Sequence, residues 1–229
     1  MSDNSWCLGL KPNEQIPGTL PEMEMLLDEY NGVWRSPTKN KKVYFTFDLG
    51  YEAGYTNDVL DVLKENNIQA LFFLVSHYLE QNEIVSRMIN ENHILGNHTD
   101  RHKNPVGLSY EEVKKDIEDF EYKFIEKYPE AIPMEWYRPP EGKYDEQTLA
   151  VVKEKKLRTM LWSLVLSKDW LREPAYEPQE SAEKIMIHIH PGAILLLHIA
   201  NPSTPEMIKR LIPMLLEKGY EIGNLRDLK

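Results

Sequence analysis

Six side chains in this sequence are of types that do hydrolytic chemistry: Asp48, His98, His102, Arg138, Asp169 and His198. Two imidazoles four residues apart, one turn of a helix, can hold a divalent metal. A metal lowers the pKa of bound water to ~7, so hydroxide forms near neutral pH. A carboxylate can accept that water's proton, and an arginine keeps such a carboxylate ionised. A further histidine, raised in pKa by a carboxylate, can protonate a leaving amine. Each residue also has a duller reading: a turn cap for Asp48, a solvated helix start for the histidine pair, an exposed turn for Arg138, a helix cap for Asp169, a core imidazole for His198. What favours the set over its members is position. Asp48, His98, Arg138, Asp169 and His198 each lie at or just beyond the end of a different apolar run, and in a parallel barrel all such ends open on one rim.

The elements that must carry them are legible in the periodicity. In the stretch 43–48, Val43, Phe45 and Phe47 alternate with Tyr44, Thr46 and Asp48, the period-two pattern of a strand. Thr56 is expected to cap a helix bearing Val59, Leu60, Val62 and Leu63. A buried strand follows at 70–75, a helix near 82–92, and Ile94-Leu95-Gly96-Asn97 leads into the histidine pair. Ser109 and Glu112 form a capping box for a helix to about Tyr128. Trp136-Tyr137 is a short strand, Asp145 caps a helix, and a strand begins at Thr159. Residues 171–180 read as a loop and Ser181 opens a helix. Residues 193–197 are the most apolar strand. Thr204, Pro205 and Gly219 mark the last helix as N-cap, first-turn proline and terminal glycine. A final strand near 220–222 closes the chain. Strands alternating with helices give an α/β fold with parallel strands and right-handed crossovers, about seven units, enough for a distorted (β/α) barrel. Residues 1–41, punctuated by Pro12, Pro17 and Pro21, read as an N-terminal arm with one helix at 21–30, packed on a single domain spanning 42–229.

Composition sets the outer bounds. The chain has 229 residues, 41% hydrophobic and 28% charged, enough for one core and its solvated surface. The formal charge of −10 argues against nucleic acid and gives no pull toward anionic membranes or acidic polymers. The single cysteine, Cys7, excludes an intrachain disulfide. No stretch reaches the apolar length of a transmembrane helix. No basic-then-apolar signal segment precedes Trp6, so the protein stays inside or such a segment lies outside this chain.

At this point a resemblance enters. Thr46-Phe47-Asp48-Leu49-Gly50, His98-Thr99-Asp100-Arg101-His102, Arg138-Pro139-Pro140-Glu141-Gly142, Asp169-Trp170 and Leu196-Leu197-His198 resemble, in order, the five motifs of the polysaccharide deacetylases, family 4 of the carbohydrate esterases. The extended first motif, Gly50-Tyr51-Glu52-Ala53-Gly54-Tyr55-Thr56, and the lead-in with Trp6 most resemble the subgroup that deacetylates N-acetylmuramic acid in peptidoglycan, a step toward muramic-δ-lactam in spore cortex. The resemblance implies a hydrolase of linear amides. Asp48 would be the base and Arg138 its partner, with His198 the acid tuned by Asp169. Trp170 and Leu196 would wall the acetyl pocket, with Tyr51 at the substrate rim and a backbone N–H near Glu141 on the oxyanion. His98 and His102 would hold a divalent metal, expected to be zinc. The family's third metal ligand follows the first Asp; here it is Leu49, so binding is expected to be weak. Glu52 is a second candidate for that missing ligand, or a structural or rim residue. The substrate implied is a peptidoglycan strand, with export to the cell envelope or forespore wall; no protein partner is evident. Two other readings stand beside this one: a metal-free hydrolase of cyclic amides or imides on the same fold, and a decayed glycan-binding module.

Overall fold

The computed structural model describes residues 5–228; the first four residues of the expected arm and Lys229 lie outside it. In chain order the elements are α1 (Pro21–Glu29), β1 (Lys42–Leu49), α2 (Thr56–Glu65), β2 (Leu71–Leu74), α3 (Asn82–Asn90), β3 (Ile94–Asn97), α4 (Tyr110–Lys127), β4 (Trp136–Tyr137), α5 (Glu146–Glu154), β5 (Arg158–Thr159), β6 (Leu164–Val165), α6 (Pro178–His188), β7 (Ala193–His198), α7 (Ser203–Glu217) and β8 (Glu221–Ile222). Seven strands run in the order β5-β4-β3-β2-β1-β7-β6, with β8 paired to the start of β1. Every ladder between these strands is parallel, as the alternation requires.

The two edge strands of this sheet are consecutive in sequence. Only residues 160–163 separate β5 from β6, and such a link spans at most roughly 18 Å at ~3.6 Å per residue. Seven strands laid flat at ~4.8 Å spacing would be roughly 29 Å across. The sheet must therefore curl, and it forms a half-barrel. The arm helps close the seam. The Val33 N–H donates to the Thr159 carbonyl and the Leu161 N–H to the Val33 carbonyl, at 2.8 and 2.7 Å, while Arg35 bridges Ala193. Trp6 donates through Nε1 to the Trp162 carbonyl at 2.8 Å. Trp6, Met23, Leu27 and Trp34 are buried with Tyr144, Leu149 and Leu161. At ~1.5–3 kcal/mol for each large apolar side chain buried, these anchors tie the arm to the barrel firmly.

The alternation of β1 sorts the core. Val43, Phe45 and Phe47 pack under the helices with Val59, Leu60, Leu211 and Leu215. Tyr44, Thr46 and Asp48 face inward, where Tyr44 meets Leu71, Phe73, Trp136 and Ile194. The α4 capping box forms as expected, with Ser109 and Glu112 bonded reciprocally, and Asp145 caps α5 through the Thr148 N–H. Gly219, at φ +82, takes the left-handed conformation that ends α7.

Four boundary expectations are corrected. Thr56 is not a cap but the first helical residue; Glu52 accepts from its hydroxyl and backbone N–H, doing the capping from four residues away. Thr204 lies inside α7, which starts at Ser203, and its hydroxyl donates to the His198 carbonyl. Helix α6 begins at Pro178, a first-turn proline, rather than at Ser181. The strand expected to begin at Thr159 ends there, and its continuation, β6, has crossed to the other sheet edge.

Candidate active site

The strand ends converge. Asp48, next to last in β1, is in register with His198 at the end of β7. His98 directly follows β3, and Arg138 directly follows β4. Arg138 is fully buried, yet each of its three nitrogens finds an acceptor: Nη1 on Asp48 Oδ1 at 2.8 Å, Nη2 on Thr46 Oγ1 and the Leu161 carbonyl, Nε on the Met160 carbonyl. Its guanidinium lies 4.1 Å over the Phe73 ring. Burial alone would raise the Asp48 carboxyl. The charge and hydrogen bond of Arg138, with the charge of His198, outweigh it and hold the group below its ordinary value, so Asp48 is ionised.

Across the site, His198 Nδ1 and its own backbone N–H both meet the Asp169 carboxylate, each at 2.9 Å. Burial disfavours the imidazolium, but the charge and hydrogen bond of Asp169, with the charge of Asp48, raise His198 above its ordinary value. With Nδ1 engaged, Nε2 is left to carry a proton toward the pocket. A pocket of about 750 Å³ holds Asp48, His198, His98, His102, Trp170, Leu196, Tyr51 and Glu141 together. Trp170 stands edge-on to His198 at 6.4 Å. Leu196 is a buried wall, and Tyr51 is exposed at the mouth under the Arg172 guanidinium. Glu141 sits at φ +58 in the turn after Arg138, paired with Lys143. The following Gly142, at φ +64, is required: a Cβ there would sit 2.7 Å from the Trp162 ring.

The histidine pair departs from the sequence expectation in its carrier. His98 and His102 are not on a helix. Beyond β3 the chain turns through left-handed Thr99 (φ +71) and His102 (φ +53), pinned by Asn97 Oδ1 on the Thr99 N–H and Thr99 Oγ1 on the His102 N–H. The turn still brings the rings to 4.8 Å, nearly perpendicular. Burial pushes His98 down to about 4, so its ring is neutral. Its Nδ1 lies 2.8 Å from the Arg138 carbonyl, which can only accept; Nε2 therefore bears the lone pair. That lone pair faces the ionised Asp48 Oδ2 at 3.6 Å. Neither atom holds a proton, so the gap suits a cation or a water. Imidazole nitrogens at His98 and His102 fit a divalent metal as two donors. Leu49, buried to 2% exposure, forms apolar wall where a third could stand. Among the described residues, no three His, Cys, Asp or Glu side chains are grouped to hold a metal. Glu52 does not supply the missing ligand: both its oxygens are spent on Tyr78, Thr56 and the Gly54 N–H.

Sequence reasoning missed Thr46, Phe73 and Trp162. Thr46 shares the inward face with Asp48, so the alternation of β1 already contained it. The Met160 and Leu161 carbonyls that hold Arg138 carry no signal in side-chain identity.

A curled parallel half-barrel with an ionised carboxylate and a charge-favouring imidazole across one pocket defines a hydrolase. A family model described as polysaccharide deacetylase matches residues 35–160, more than half of the chain, and the chain belongs to that family. It is 30% identical over 228 residues to the peptidoglycan-N-acetylmuramic acid deacetylase PdaA of Bacillus subtilis, covering 98% of this chain and 85% of that protein. The structure of that relative, described as a family 4 carbohydrate esterase, matches with a TM-score of 0.92 at 29% identity, over 98% of this chain and 95% of that one. A peptidoglycan-N-acetylglucosamine deacetylase of Bacillus cereus is 30% identical over 203 residues, covering 85% and 91%. A family 4 acetyl xylan esterase from Clostridium thermocellum, in complex with a cobalt ion, matches with a TM-score of 0.70 at 27% identity, over 82% and 90%.

Proposed function

We propose that this protein removes N-acetyl groups from peptidoglycan, with N-acetylmuramic acid residues as the substrate. One observation carries the reading: opposite protonation states are held across a single pocket, Asp48 ionised by Arg138 and His198 favoured as imidazolium by Asp169. An amide hydrolase needs that pair, a base for water and an acid for the amine.

Asp48 Oδ2 takes a proton from water as its oxygen bonds to the acetyl carbon. A backbone N–H near Glu141 faces the oxygen that gains charge. His198 gives its Nε2 proton to the nitrogen as the C–N bond breaks, releasing acetate and a free amine. Trp170 and Leu196 enclose the methyl group. A divalent cation, zinc by our reading, would be held by His98 and His102 and would supply Lewis-acid polarisation of the carbonyl and the water. The likeness to the muramic acid deacetylase in both sequence and structure supports that sugar over N-acetylglucosamine. Because its polymer lies outside the cytoplasmic membrane, we place the protein's action at the cell envelope or forespore wall.

Mass spectrometry of muropeptides treated with the protein tests this. Loss of acetyl from muramic acid, abolished by a chelator and restored by zinc, is the expected result. Loss from N-acetylglucosamine alone would move the substrate assignment. The two-donor cation site beside Leu49 favours one competing reading, a metal-free hydrolase of cyclic amides or imides; chelator-resistant ring opening with no acetyl release would establish it.

A further inference from the structure

A cavity larger than the candidate active-site pocket lies elsewhere among the described residues. A groove of about 1370 Å³ lies at the opposite end of the barrel, where β1 and β5 begin, and it contains none of the catalytic residues. Five basic side chains line it, Arg35, Lys42, Lys153, Lys156 and Arg158, against two acids on α1, Glu24 and Asp28. The chain as a whole carries −10, so this face reverses the sign of the protein. The bottom of a barrel is normally given to stability, but Lys153, Lys156 and Arg35 do little for it. Lys153 and Lys156 are exposed, and neither meets a carboxylate among the described residues. Lys153 stands 5.3 Å over the Tyr30 ring. Arg158 spends its donors on the Asn31 and Leu228 carbonyls. Arg35 is the anomaly. Its guanidinium lies 5.0 Å over Trp34, and its Nε is buried with no hydrogen-bond partner among the described residues. Leaving such a donor unsatisfied costs ~1–3 kcal/mol, so Arg35 brings its charge to this face at a cost to the fold.

We propose that this groove is a second binding site, for a carboxylate-bearing glycan strand, separate from the pocket that does the chemistry. Carboxylates pair with the charges of Arg35, Lys153 and Lys156. The two acids on the α1 wall fit a strand that also bears some amines, as glycan strands with peptide side groups do, better than a polymer carrying phosphates alone. The choice of strand rests on the deacetylase reading; the site itself does not. An enzyme gripping its polymer at a site apart from the cleavage pocket gains effective concentration without a tighter pocket. The net charge argues against acidic polymers only when it is averaged over the surface.

Co-sedimentation of the full protein with insoluble peptidoglycan, stripped of phosphate polymers, tests the site. Binding is read without turnover, so failure of the deacetylase reading leaves the test intact. Binding should occur and weaken with salt, as screening requires. The exposed double variant Lys153→Glu/Lys156→Glu should bind on the order of tenfold less at an unchanged melting temperature, and Arg35→Gln should also bind less. Amidating the carboxylates of the polymer should abolish binding of the unaltered protein. Full binding by the double variant, or full binding to the amidated polymer, overturns the proposal. Binding only to walls that retain phosphate polymers would assign the groove to those polymers instead.

Discussion

The two halves of the candidate site are built to different standards. In the acid–base half, Arg138 is held by four acceptors and His198 by a two-point contact with Asp169. In the histidine half, a bare lone pair faces a carboxylate at 3.6 Å, and the second ring, His102, is exposed on a left-handed residue. The fold supplies protonation states by itself but leaves the cation seat to be completed by what binds. A buried charge cannot wait for a partner, because its desolvation must be offset within the fold; an exposed imidazole can.

The largest effect that would break this contrast is at Arg138. Arg138→Ala strands the Asp48 carboxylate in the interior and is expected to cost about 3–5 kcal/mol together with all activity. Chemical denaturation measures it, and unchanged stability would show that the pair does not hold the acid–base half together. Next comes Asp48→Asn, expected to slow deacetylation by ~10²–10⁴ while the barrel still folds. Acetate release at near-wild-type rate would remove Asp48 as the base.

Smaller changes belong to the cation seat. His102→Ala should alter stability by less than ~0.5 kcal/mol yet weaken zinc affinity on the order of tenfold, about one 1.4 kcal/mol contact. Leu49→Asp should strengthen it by a similar factor. Calorimetric zinc titration of the free protein reads both, and equal affinity in all three proteins would mean that the metal sits elsewhere. The mildest test is in pH. Activity requires Asp48 ionised, His98 neutral and His198 charged. Falling pH ends it by protonating His98 near 4 and Asp48 at its depressed value; rising pH ends it by deprotonating His198, above 6.5. Asp169→Asn removes the main stabiliser of that imidazolium, so the alkaline limb should move to lower pH. An unmoved limb would detach Asp169 from the acid role.

The side chains of the site were legible because strand alternation and run ends are written in residue type. Asp48, Arg138 and His198 could be placed on one rim from apolar runs alone. What was not legible is backbone geometry. The turn carrying His102 depends on Thr99 and His102 adopting positive φ, which non-glycine residues rarely do and do not advertise. The strand at Thr159 differs from its expectation for a related reason. A run of apolar residues shows burial, but not that the chain changes sheet edge midway. Thr56 and Thr204 looked like caps because their type is right for one, while the true donors and acceptors lay elsewhere in the tertiary structure.

The short link between β5 and β6 has a consequence for how the molecule comes into being. Its carbonyls at Met160 and Leu161 hold Arg138, which holds Asp48 across 90 positions of sequence. The seam closes only once the arm, the first strand and the last sheet edge have met. Such non-local contacts slow folding, because loop closure must precede any reward. The catalytic centre should therefore be among the last parts to consolidate, and a nascent chain lacking β7 should be inert. Stopped-flow refolding should show helical signal recovering before competence to release acetate.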